Sequence, residues 1–170
     1  MQEIELKFLD INVELIKNKL KEIGAKLKYD TNIEWYTFIK KWFSSWTKDK
    51  YLRVRKINQK VEITFKWKVD KNSKMTSREE VEYISDNYEN SILLFEKLWF
   101  KKSSPFKKHR IHFELWNIHF ELDTKWKIPT YLEIETKTEN DMIDICKKIW
   151  LDIKDWKKWS IVEILPEYFS

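Results

Sequence analysis

The sequence predicts an α+β fold in which an antiparallel sheet closes into a β-barrel with a charged interior, while amphipathic helices pack outside. Three observations predict it. Seven segments alternate apolar with charged residues at period two, so each would form a strand with one apolar and one ionic face. Three other segments repeat apolar residues at helical spacing, which supplies cover for the apolar faces. Like charges also recur two residues apart on several ionic faces, an arrangement that a merely solvated sheet does not favour.

Along the chain, residues 1–8 set Glu3, Glu5 and Lys7 against Ile4, Leu6 and Phe8. Asn12 to Gly24 starts with an Asn cap and repeats Val13, Ile16, Leu20 and Ile23, which predicts the first helix. Tyr51 to Lys56 opposes Arg53 and Arg55 to Leu52 and Val54, and Val61 to Lys68 opposes Glu62, Thr64, Lys66 and Lys68 to Val61, Ile63 and Phe65. Arg78, Glu80 and Glu82 alternate with Val81 and Tyr83, and a second helix covers Asn87 to Leu98. Lys108, Arg110, His112 and Glu114 then alternate with Ile111, Phe113 and Leu115. Asn117, His119, Glu121 and Asp123 oppose Ile118, Phe120 and Leu122; Glu133 and Glu135 oppose Leu132 and Ile134. A helix over Glu139 to Ile149 and a short terminal strand complete the order. No linker interrupts it, so residues 1–170 read as a single domain.

The E-x-E pairs at Glu3/Glu5 and Glu133/Glu135 hold like charges roughly 7 Å apart along a strand, and such carboxylates repel unless a cation joins them. Arg53/Arg55 and Lys66/Lys68 concentrate positive charge in the same way, which calls for an anion. Closing the sheet turns these faces toward a ligand-filled bore.

Net charge is +5, but charged residues of both signs make up 36% of the chain, unlike a nucleic-acid-binding arm. Acids share the ionic faces with the bases, so neither a nucleic-acid nor a membrane partner is expected. The one cysteine, Cys146, falls in an apolar-periodic stretch and reads as a buried thiol in a reducing compartment. Without a leader or a long apolar run, the expected location is the cytoplasm. A homodimer is compatible with the sequence.

The opening Glu3-Ile4-Glu5-Leu6-Lys7 matches an E-x-E-x-K signature. It is followed in order by Leu52-Arg53-Val54-Arg55, Ile63-Thr64-Phe65-Lys66, Arg78-Glu79-Glu80-Val81-Glu82, Lys108-His109-Arg110, Leu122-Asp123 and Leu132-Glu133-Ile134-Glu135. In these motifs the chain resembles the CYTH superfamily, the triphosphate tunnel metalloenzymes, which includes class IV adenylate cyclases, thiamine triphosphatases and inorganic triphosphatases. The resemblance covers nearly the whole chain and implies a closed antiparallel eight-stranded β-barrel. Two places depart from it. Met1 leaves no room for the His-Phe pair that precedes the signature in class IV cyclases, and Tyr29 to Lys50 lacks the family's Asp-Thr-Tyr-Phe wording, so Asp30, Thr31 and Tyr36 correspond only loosely.

The resemblance implies a small-molecule triphosphate substrate and Mg²⁺ or Mn²⁺. Lys7, Arg53, Arg55, Lys66, Lys68, Arg78, Lys108 and Arg110 would bind phosphate oxygens, with Lys7, Arg55 and Lys66 acting on the reacting group. Glu3, Glu5, Glu133 and Glu135 are the metal-ligand candidates, followed by Asp123 and Glu80. The missing His-Phe pair favours hydrolysis of inorganic triphosphate, thiamine triphosphate or a nucleotide over cyclisation of ATP. A non-catalytic polyphosphate-binding module would keep the bases but could dispense with the E-x-E acids. His109 and His112 fall on opposite faces of one strand, so His109, His112 and His119 are not expected to form a zinc site. His112 and His119 could meet on adjacent strands and bind phosphate or relay protons.

One count is abnormal: the chain has ten tryptophans and one glycine, where about 7% glycine is ordinary. The first helix ends Ile23-Gly24-Ala25, with glycine at the left-handed C′ position, while the later helices end Leu98-Trp99-Phe100 and Ile149-Trp150-Leu151. Trp116-Asn117 falls at a hairpin turn, and Trp42, Trp46, Trp126, Trp156 and Trp159 lie in loop-like stretches. A gene in which UGA encodes glycine, but is translated here as tryptophan, would write the sequence this way.

Overall fold

The computed structural model describes residues 2–39, 50–69, 76–125 and 127–157. The described elements are β1 (Gln2–Phe8), α1 (Val13–Glu22), β2 (Lys26–Ile39), β3 (Tyr51–Ile57), β4 (Lys60–Val69), β5 (Thr76–Ser85), α2 (Tyr88–Lys97), β6 (Lys101–Lys102), β7 (Phe106–Leu115), β8 (Ile118–Lys125), β9 (Ile128–Thr136) and α3 (Glu139–Lys148). The fold is therefore α+β with three helices, and its strands pair antiparallel. Two compact units divide the chain: Met1–Gln2, Thr31–Asp70 and Arg78–Lys108 form the first, while Glu3–Asp30, Lys71–Ser77 and His109–Ser170 form the second.

In the first unit β2, β3, β4 and β5 follow one another as neighbours, and β6 pairs with the end of β2. The β3–β4 hairpin turns on Asn58, whose φ of +52° asparagine tolerates better than most residues. Phe38, Val54 and Val61 are buried on the apolar face, where Tyr88, Ile92 and Phe95 of α2 pack over them. This is the helical cover that alternation predicts. It stops short of β5, whose Val81 and Tyr83 remain exposed.

The second unit has the order β1, β9, β8, β7. Leu6, Phe8, Phe113, Phe120, Leu122, Leu132 and Ile134 project from its sheet against Ile16 and Leu20 of α1, against Met142, Ile145 and Cys146 of α3 and against its C-cap Ile149. Cys146 is thus a packing residue, and burial pushes its thiol pKa up to about 12. Each helix is capped as its sequence dictates. Asn12 Oδ1 accepts from Leu15 N–H, Asn87 Oδ1 from Asn90 N–H and Thr138 Oγ1 from Asp141 N–H.

Two sequence expectations change. The fourteen-residue β2, the longest strand among the described residues, lies inside the segment left without an element by periodicity. Only Ile33 and Phe38 are buried along it, five positions apart, so no clean alternation marks it. The expected terminal strand lies beyond residue 157, outside the described residues, apart from an isolated bridge in which Lys157 N–H donates to the Lys7 carbonyl at 2.8 Å. Among the described residues no helix is long and apolar enough to cross a membrane.

Candidate functional site

The ionic faces carry the site residues expected from the sequence, and each unit has its own set. On the first, β3–β4 register places Arg53 opposite Thr64 and Arg55 opposite Glu62. Arg55 donates to Glu62 Oε2 from Nε at 2.8 Å and from Nη2 at 2.5 Å, while Lys60 Nζ lies 2.8 Å from Glu62 Oε1. Burial raises the Glu62 pKa, but Arg55 and Lys60 outweigh it and hold the carboxyl below its ordinary range. Glu82 moves the other way, raised by burial and by Glu62. Lys66 is buried and ion-paired with Glu80, its register partner on β5. Arg53 Nη2 reaches Thr64 Oγ1 at 3.4 Å. Trp35, the register partner of Arg55, stacks on Phe106, and Lys108 Nζ lies 5.5 Å from the Trp35 ring centroid. The side chains of Lys68 and Arg78, and all of Trp42, Trp46, Trp126 and Trp159, lie outside the described residues.

The second unit gathers the acids. Register sets Glu5 opposite Glu135 and Glu121 opposite Glu133, so two pairs of like charges face each other across neighbouring strands. Such pairs are destabilising unless cations stand between them. Two cations do. Lys7 is ion-paired with Glu5 and donates to Glu133 Oε1 at 3.3 Å. Arg110, 3% exposed, donates from Nε and Nη2 to the two Asp123 oxygens at 2.7 and 2.8 Å and is ion-paired with Glu121 through Nη1. Burial disfavours the guanidinium charge, but Asp123 and Glu121 more than offset it and drive the Arg110 pKa well above its usual value. Burial, followed by Asp123 and Glu133, likewise raises the Tyr131 phenol.

Oxygens of Glu5, Glu133 and Glu135 lie within 4.8 Å of one another, and so do those of Glu121, Asp123 and Glu133. All are hard carboxylate donors, the chemistry that suits Mg²⁺ or Mn²⁺ rather than a thiophilic ion. Glu133 belongs to both groups. Glu3 shares the Glu5 face but enters neither, and Glu80 belongs to the Lys66 pair. Glu62 and Glu121 lie on predicted ionic faces without an assigned role in the sequence reading. Cross-strand register, which one strand's alternation does not contain, sets Glu62 opposite Arg55, while Glu121, opposite His112, reaches Arg110 diagonally.

The CYTH domain family matches residues 1–155. Among solved structures, the chain is similar to the PH1012 protein of Pyrococcus horikoshii at 32% identity and a TM-score of 0.75, over 95% of this chain and 98% of that one. A candidate adenylate cyclase from Vibrio parahaemolyticus aligns with a TM-score of 0.78 at 19% identity, over 96% and 97% of the two chains. A candidate adenylyl cyclase from Hippeastrum, described as having a dominant triphosphatase activity, aligns at 0.58 and 16%, over 98% and 95%. No curated protein matches significantly. With nearly its whole length matched, the chain belongs to the CYTH domain family.

Proposed function

We propose that the protein is a divalent-metal-dependent hydrolase of a triphosphate, held in a closed tunnel lined by the ionic strand faces. The observation that carries this reading is the facing of half-buried Glu5 with half-buried Glu135 and of buried Glu121 with buried Glu133, with Lys7 and Arg110 interleaved. A surface sheet would leave such carboxylates in water, and a purely structural one would replace them with apolar residues, since buried ion pairs are seldom a net source of stability.

Glu5, Glu133 and Glu135 would hold one cation, with Glu121 and Asp123 beside the shared Glu133 as ligands for a second. When bound, the ion neutralises phosphate charge and polarises the bond that breaks. Arg53, Arg55, Lys66 and Lys108 bind phosphate oxygens and stabilise charge in the transition state, Glu62 holding the Arg55 guanidinium in place until substrate arrives. Lys7 bridges Glu5 and Glu133, which orients both. A Hippeastrum neighbour with dominant triphosphatase activity is consistent with this chemistry.

The test is release of phosphate and of cyclic AMP from inorganic triphosphate, thiamine triphosphate, ATP and GTP with Mg²⁺ or Mn²⁺. Wild type is compared with Glu5→Gln and Arg55→Ala. Metal-dependent phosphate release that both substitutions cut by about 100-fold or more supports the reading, a loss of the size expected for a group that contacts the transition state. Cyclic AMP as the main product makes the protein a cyclase. Turnover of nothing, or turnover indifferent to both substitutions, overturns the tunnel mechanism.

A further inference from the structure

We infer that positions 99, 116 and 150 are glycine in the protein as its own cell makes it, encoded by UGA, while Trp35 and Trp67 are genuine tryptophan. Three helix ends carry the argument, because they are built alike. At the first, Gly24 N–H donates to Lys21 O and Ala25 N–H to Leu20 O, with Gly24 at φ +84°. The second repeats these bonds from Trp99 to Glu96 O and from Phe100 to Phe95 O, with Trp99 at φ +60°. The third repeats them from Trp150 to Lys147 O and from Leu151 to Cys146 O, with Trp150 at φ +65°. This paired pattern closes a helix through a left-handed residue, a position dominated by glycine because any Cβ there crowds the following carbonyl.

Trp116 repeats the anomaly in a different setting. It is the first residue of the two-residue β7–β8 turn and has φ +54°; Asn58 holds the equivalent place in the β3–β4 turn at φ +52°. Short hairpin turns need positive φ and are normally written with Gly, Asn or Asp. The three indoles do little in return: Trp99, Trp116 and Trp150 are 78%, 76% and 71% exposed. Among the described residues a single surface contact, Lys19 Nζ over the Trp150 ring, involves one of them. Trp35 and Trp67 behave as tryptophan should. Neither has positive φ; Trp35 stacks on Phe106, and Trp67 meets Phe65 edge-on with Lys50 Nζ 4.1 Å from its ring centroid. A UGA codon read as glycine in the cell and as tryptophan in conceptual translation accounts for this division, because tryptophan's ordinary codon is UGG.

The codons at all five positions are read from the gene, and the chain as written is compared with the variant Trp99→Gly/Trp116→Gly/Trp150→Gly by denaturant unfolding. UGA at 99, 116 and 150 with UGG at 35 and 67 is expected. The variant should raise the folding equilibrium constant on the order of 30-fold, the left-handed strain relieved at three sites less the greater freedom of unfolded glycine. UGG at 99, 116 and 150, or a variant no more stable than the chain as written, overturns the inference.

A second inference rests on different residues. We propose that His112, His119 and Glu114 form a transition-metal site distinct from the carboxylate groups. One donor atom from each lies within 4.8 Å of the others, and His119 Nδ1 stands 3.4 Å from His112 Nε2. That exceeds the usual hydrogen-bond range of about 2.7–3.2 Å, but two imidazoles on one tetrahedral zinc, each at about 2.05 Å, leave their nitrogens about 3.4 Å apart. His112 Nδ1 lies 3.5 Å from Glu121 Oε1 without a hydrogen bond to it, and the His112 ring stacks on Tyr29, which limits its rotation. Lys28 holds Glu114 Oε2 at 3.0 Å.

Co²⁺ serves as the probe, titrated into the metal-free protein while visible absorption is followed, for wild type, His112→Gln, His119→Gln and Glu133→Gln. One equivalent giving a tetrahedral absorption band, lost in both histidine variants and kept in Glu133→Gln, is expected. No band, or a band that survives both histidine substitutions, overturns the site.

Discussion

Replacing Asp123 with Asn should destabilise the second unit more than it perturbs its surface, because the substitution falls on a fully buried charge pair. Asp123 is 0% exposed and receives two of the Arg110 hydrogen bonds, while Glu121 receives the third interaction. The amide of Asn can accept one of the two bonds, but its NH₂ then faces a guanidinium N–H, donor against donor. Breaking a buried pair from one side costs about 3–5 kcal/mol; Glu121 remains to share the Arg110 charge, so the lower end, about 3 kcal/mol, is expected. With a guanidinium m-value of about 4 kcal/mol/M for a chain of this size, the unfolding midpoint should fall by about 0.7 M. Arg110→Met should cost at least as much, because it strands Asp123 beside Glu121 and Glu133. Combining Arg110→Met with Asp123→Leu should recover part of both losses. A midpoint shift below about 0.1 M for Asp123→Asn, or strict additivity in the double variant, refutes the account of this pair as a coupled buried unit.

Mn²⁺ at about 100 times its dissociation constant should stabilise the protein by about 2.7 kcal/mol, read as a higher melting temperature, and Glu133→Gln should abolish most of that gain because Glu133 belongs to both acidic groups. Glu62 has its folded pKa below the ordinary 4.5, so its contribution is present above that value and lost as pH falls through the folded pKa. Urea unfolding of Glu62→Gln should therefore show a shallower loss of stability in acid than wild type. Cys146, its thiol raised to about 12 by burial, should resist iodoacetamide at pH 8 in the folded protein and react once denaturant exposes it.

Much of this protein was legible in its sequence, and the reasons are local. Seven strands follow from period-two alternation; all but β5, whose Val81 and Tyr83 stay exposed, bury apolar residues against a helix or neighbouring core and keep the ionic residues together on the other face. Asn12 and Asn87 announce two helix starts because a cap needs only its own side chain and the amide three residues on. Even the glycine anomaly could be read there, since a left-handed helix end is a property of one backbone position. The E-x-E and R-x-R pairs show their like charges for the same reason, lying two residues apart on one strand. Tertiary structure decided what depends on residues far apart in the chain. β2 owes its extended form to pairing with β3, not to any alternation of its own. That Glu5 meets Glu135, that Arg110 grips Asp123 and Glu121, and that His112 meets His119 while His109 turns to Asp30, are consequences of register. A shift of one residue between neighbouring strands would leave every local pattern intact and exchange the partners of every charge.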